Sequence, residues 1–149
     1  MFGLGKKLLL SSEDKDKISN AIDEAEKTTD GEIVVRVVPD SKKFYGNVYR
    51  HAIAEFESLG IQQTDGATGV LLFISVLDRQ VEIIADQAIH DIAPYSIWSA
   101  AVKAIETGFE QNKPAAGIVA AVEIVGEVLS KHFPFTKEKN ELSNEVKTE

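Results

Sequence analysis

Two apolar runs stand back to back in TGVLLFISVLDRQVEIIADQAIHDIAP, Thr68 to Pro94, with only Leu77-Asp78-Arg79 between them. The first, Val70 to Val76, is apolar at almost every position, as a strand covered on both faces must be. The second, Gln80 to Ala85, follows so closely that it must return antiparallel, because a parallel return needs a crossover of about a dozen residues. Upstream, Ile33 to Val38 (IVVRVV) is β-branched except at Arg36 and reads as a central strand. Helical spacing surrounds these strands. Ile18, Ala21, Ile22 and Ala25 form one stripe after a cap at Ser11 or Ser12, ending near Thr29-Asp30-Gly31. Tyr49, Ala52, Ile53 and Phe56 form a second stripe that closes at Gly60. Ile97, Ala101, Ala104 and Ile105 mark a third helix. A fourth begins at Pro114 and carries Ile118, Ala121, Val122, Val125 and Val128.

Strand, helix, strand in that order predicts a parallel pair joined by a right-handed crossover, then the antiparallel hairpin. The expectation is an α/β fold with helices on both faces of a small mixed sheet. With 149 residues, 44% of them hydrophobic, the chain is one ordinary domain, set at 10–135. Residues 136–149 are charged, nearly free of large apolar side chains, and expected to be a mobile tail. No cysteine is present, which removes disulfides, thiolate zinc sites and cysteine nucleophiles. A net charge of −8 disfavours nucleic acid and anionic membrane surfaces and favours cations. No segment reaches ~20 uninterrupted apolar residues, so membrane insertion is not expected and the cytoplasm is the expected location.

Charge then alters the picture at one edge. Strands rise ~3.3 Å per residue, so Asp78 and Asp86, at opposite ends of the third strand, lie about 20 Å apart. The topology sends Asp30 and Glu32, then Asp65, then Asp86 and Asp91 to one edge, and Asp40, Asp78 and Arg79 to the other. No Lys or Arg lies between Arg50 and Arg79, or between Arg79 and Lys103, to neutralise the acidic edge. Converging carboxylates repel, and a hard divalent cation with six to eight oxygen ligands relieves that. Calcium or magnesium suits such donors, with Glu32, Asp65, Asp86 and Asp91 as the ligand set and carbonyls of the loops 62–67 and 87–92 filling the shell. The alternative is plain: strand-end carboxylates commonly cap helices and turns. No loop has the D-x-[DN]-x-[DN]-G calcium pattern, and neither G-x-S-x-G nor H-E-x-x-H occurs. His90 is the histidine best placed to join the acidic loop, whereas Trp98 and Phe109 read as core. Open α/β sheets usually bind ligands beyond the carboxyl ends of their parallel strands, here Pro39-Asp40-Ser41 and Asp78-Arg79, which competes with the acidic edge.

The segments KTTDGEIVVRVVP, YRHAIAEFESLGIQQT, TGVLLFISVLDRQVEIIADQAIHDI and GIVAAVEIVGEVLSKHFP followed by NEL resemble the stand-alone branch of the TPM-domain family over roughly residues 10 to 146. That resemblance implies a three-layer α/β/α sandwich around a mixed sheet of about four strands. It also implies divalent-cation binding, with a phosphatase activity proposed for a thylakoid-lumen relative and a link to photosystem II repair. Glu32, Asp86 and Asp91 carry over as acidic positions. Where the broader family has Asp-Asn-Gly before the second strand this chain reads Ala67-Thr68-Gly69, and Asp65 stands two residues upstream. The expected function is therefore a non-catalytic, regulatory domain that binds calcium or magnesium, which orders the loops before the second strand and after the third for an unidentified protein partner. The alternatives are a metal-dependent phosphomonoesterase and a purely structural interaction domain.

Overall fold

The computed structural model describes residues 10–60, 68–136 and 147–148. Helix α1 (Ser12–Glu26) opens with a reciprocal cap. The Ser11 hydroxyl accepts the Asp14 N–H at 3.0 Å, and the Asp14 carboxylate accepts the Ser11 N–H at 3.3 Å. Its Ile18 and Ile22, one turn apart, are fully buried. Strand β1 (Glu32–Val38) follows. Helix α2 (Val48–Ser58) starts at Asn47, whose side chain accepts the Arg50 N–H at 3.0 Å. Strands β2 (Gly69–Ser75) and β3 (Gln80–Ala85) form the hairpin. Then come α3 (Gln87–Ile92), α4 (Tyr95–Glu110), α5 (Pro114–His132) and the two-residue β4 (Lys147–Thr148).

Strand order is β3-β2-β1-β4. β1 and β2 run parallel from Glu32↔Gly69 to Val38↔Ser75, and β2 and β3 antiparallel from Val70↔Ala85 to Ser75↔Gln80. Three full strands thus form the sheet, and β4 adds a short parallel pairing at Arg36 and Val37. Within the charged tail, Lys147 and Thr148 pair with Arg36 and Val37 of β1. Residues 137–146 and Glu149 of the expected tail lie outside the described residues.

Pleating divides the strand side chains between two cores. Ile33, Val35, Val37, Val70, Leu72, Ile74 and Val81 pack against α1, α4 and α5, while Val34, Val38, Leu71, Phe73 and Ile84 pack against α2. Each fully buried Ile, Leu or Val contributes on the order of 1.5–3 kcal/mol by leaving water. The result is the expected α/β/α sandwich, with three long helices on one face and α2 alone on the other. Backbone contact joins α4 to α5: a Cβ on Gly117 would lie 2.7 Å from the Ala104 carbonyl oxygen, a separation that only a glycine permits. Among the described residues no helix is long and apolar enough to cross a membrane.

Two local expectations shift. Residues 87–92, expected as a loop, form α3, because Asp86 in extended backbone starts a turn whose Ile89 is fully buried. Its first carbonyl, on Asp86, already accepts the Ile89 and His90 N–H groups at 3.0 Å each. The helical hydrogen bonds thus compete for the carbonyls that a loop would have offered to a cation. On α2 the buried stripe is Val48, His51, Ala52 and Phe56, not the one through Tyr49, which is 56% exposed. The stripe rotates because the His51 imidazole finds a buried partner below it.

Candidate functional site

Register places Glu32, Gly69 and Asp86 in one row across the amino ends of β1 and β2 and the carboxyl end of β3. Alternation puts all three on the α2 face, since their neighbours at i+1 or i−1, Ile33, Val70 and Ala85, belong to the opposite core. The middle position has no side chain. Two carboxylates therefore flank a glycine, with Cα atoms roughly 10 Å apart across two strand spacings. Glu32 is 2% exposed and Asp86 8%. The backbone around them is tightly bonded. Glu32 N–H donates to the Thr68 carbonyl at 3.1 Å, and Asp86 N–H donates to the Gly69 carbonyl at 3.0 Å. Asp86 Oδ2 accepts the Gly69 N–H at 2.7 Å, so this carboxylate clamps the start of β2. The Thr68 hydroxyl is buried and has no hydrogen-bond partner among the described residues.

The other expected ligands fall differently. Asp91 is exposed on α3, where its carboxylate accepts from Gln87 Nε2 at 2.6 Å. Asp30 turns to the backbone N–H and hydroxyl of Thr136. His90 is exposed on α3. Asp65 and the loop 62–67 lie outside the described residues, and among the described residues no three His, Cys, Asp or Glu side chains stand together to hold a metal. Of the expected ligands the row unites Glu32 and Asp86, with Gly69 between them, which charge-based reading passed over because a glycine gives no acidic signal.

At the carboxyl ends of β1 and β2 lies a second polar cluster. Asp78 Oδ2 accepts the Ser41 N–H at 2.9 Å and the Ser75 hydroxyl at 2.8 Å. Ser41 Oγ lies 3.3 Å from Ser75 Oγ and 2.8 Å from His51 Nδ1. Proton counting assigns the direction. Ser75 gives its only proton to Asp78, so Ser41 gives its own to Ser75 and accepts the Nδ1–H of His51. His51 stacks on Phe44 with centroids 4.5 Å apart and meets the edge of Phe73 at 4.8 Å. Its Nε2 stands 3.9 Å from Glu55, whose carboxylate also takes Arg36 Nε at 3.1 Å. Ser41, Ser75 and His51 are fully buried. A fully buried serine whose proton points away from the histidine acts here as a structural clamp between β1, β2 and α2. The sequence carried a signal for this cluster: 48, 51, 52, 55 and 56 keep helical core spacing, with His51 and Glu55 on the stripe. The expected Asp78–Arg79 turn becomes an inward clamp by Asp78, with Arg79 exposed in left-handed backbone at φ 54°. A groove of about 760 Å³ between α1 and α5 has no residue of either cluster in its lining.

Residues 6–128 match the family model described as the TPM domain. The chain is similar to the BA42 protein of the psychrophilic bacterium Bizionia argentinensis, whose NMR structure shares 32% identity, covers 95% of this chain and 96% of its own, and gives a TM-score of 0.84. More distant likeness extends to the N-terminal domain of the cg2496 protein from Corynebacterium glutamicum, with 19% identity, 89% and 82% coverage and a TM-score of 0.62. The N-terminal domain of a P. gingivalis protein has 16% identity, 89% and 85% coverage and a TM-score of 0.68. No curated protein matches the chain.

Proposed function

The chain belongs to the TPM-domain family, and from that premise we propose that the Glu32–Gly69–Asp86 row binds one divalent cation, calcium or magnesium, in a non-catalytic and regulatory role. The observation that carries this reading is the pair of buried carboxylates on one face with only a glycine between them. A divalent cation attracts carboxylates more strongly in a buried setting than at a surface, and one seated in the row would be shared by both. Asp65 stands three residues before Thr68 and Asp91 five after Asp86, so a cation seated in the row would draw on both flanking segments. Calcium, with a flexible shell of six to eight oxygens at ~2.3–2.6 Å, tolerates such a mixed set, while magnesium would keep more of its water. Binding that selects one arrangement of these segments would present it to a protein partner.

Calorimetric titration of the protein with calcium and with magnesium tests the proposal, alongside backbone amide shifts. Heat release, with shifts at residues 32, 68–69 and 86–91, is the expected result. Absence of heat together with unmoved amides in that row would refute it. The phosphomonoesterase alternative uses the same carboxylates and adds a reaction, which a phosphatase assay on the calcium- or magnesium-loaded protein separates from binding.

A further inference from the structure

The two edges of the sheet are treated differently. β4 lies along β1, whereas β3 is the other outer strand and, among the described residues, has β2 as its sole ladder partner. Asp86 N–H bonds the Gly69 carbonyl, so Asp86 and Gly69 face each other across the ladder. Counting back by two, the backbone groups of Ile84 and Glu82 face β2, and those of Val81, Ile83 and Ala85 point outward. Natural edges are usually blunted by proline, lysine or a bulge. β3 has no proline and no lysine, and its six pairs run in unbroken register. Along it runs a groove of about 350 Å³ of mixed polarity, lined by Val81, Glu82 and Ile83 on one side and by Tyr95, Trp98 and Val102 of α4, with the polar Ser99, Lys103 and Glu106, on the other. Tyr95 is 82% exposed.

We propose that this edge and groove receive an extended peptide segment of a partner protein, alternately apolar and basic, which adds as a fifth strand beside β3. The backbone pattern selects an extended chain, since a row of outward N–H and C=O groups at two-residue spacing is matched only by another strand. Side-chain alternation selects the composition. Val81 and Ile83 share the α4 face, so residues on that face of the incoming strand meet Val81, Ile83, Trp98 and Val102, in a groove that Lys103 and Glu106 also line. Glu82 lies on the opposite face, partly exposed, so the intervening residues meet a carboxylate in a chain of net charge −8. The inference is independent of cation binding, because none of these groups belongs to the acidic row.

The test titrates the full chain, labelled with ¹⁵N, with a capped peptide alternating valine and lysine. Hydrogen exchange at the Val81, Ile83 and Ala85 amides slows, while Glu82 and Ile84 change little. N-methylation of the peptide on its β3-facing amides abolishes binding, and methylation of the other set leaves it. Glu82→Lys, a surface change that keeps the fold, weakens binding about tenfold, the effect of losing one favourable charge contact and gaining a repulsive one. Trp98→Ala weakens it through the groove. No slowing at millimolar peptide, equal binding of both methylated peptides, or protection that rises with protein concentration in the absence of peptide would each overturn the proposal, the last by assigning the edge to a second copy of this chain.

Discussion

Asp86 has two separable tasks, and a pair of substitutions pulls them apart. Its Oδ2 accepts the Gly69 N–H at 2.7 Å in a site only 8% exposed, and its charge faces Glu32 across the row. Asp86→Ala leaves that amide without its acceptor; losing a hydrogen bond to a charged group and stranding a buried donor costs about 1.5–3 kcal/mol. Asp86→Asn retains an acceptor oxygen for the Gly69 N–H, so its loss stays below about 1 kcal/mol. In chelator the order of stability is therefore wild type and Asn close together, with Ala well below. For a domain of this size the Ala variant should melt roughly 3–12 °C lower, at about 2–4 °C per kcal/mol. Calcium changes the order. At a hundredfold excess over its dissociation constant it stabilises a binding protein by about 2.7 kcal/mol, and both variants should lose that gain. Urea unfolding with and without calcium reads both effects, provided the slope m is unchanged. Asp86→Ala within about 0.5 kcal/mol of wild type in chelator would refute the clamp. Calcium stabilisation retained in Asp86→Asn would refute the role of the charge.

Three further outcomes follow from the same geometry. Gly117→Ala places a methyl 2.7 Å from the Ala104 carbonyl oxygen, and thermal unfolding should show a net loss of about 1–3 kcal/mol although alanine favours helices by about 1 kcal/mol. Ser41→Ala removes the acceptor of His51 Nδ1–H and should cost about 1–3 kcal/mol, with an altered imidazole ¹⁵N signal reporting the lost bond. Thr68→Val keeps stability within about 1 kcal/mol, because its hydroxyl has no partner to lose among the described residues; a larger loss in urea unfolding would refute that reading.

Strand period, helix stripes and the short Leu77–Arg79 connection determined the order of elements, the parallel pair, the hairpin and the gathering of Glu32 and Asp86 at one edge. These are local or topological quantities: a period of two, a stripe, and a loop too short for a crossover. Only the tertiary structure decided which residues meet within that edge. Gly69 became informative through its register between two acids. Asp91 and Asp30 were drawn toward Gln87 and Thr136 because hydrogen bonds of a few ångströms outrank membership of the same edge. His51 shows the limit most clearly. Its position on the α2 stripe was legible in the spacing, but its partners Ser41 and Ser75 lie 10 and 24 residues away on other elements. A buried polar group is stable only where its hydrogen bonds are met, and that is a property of packed surfaces from several segments, which no single stretch of sequence contains.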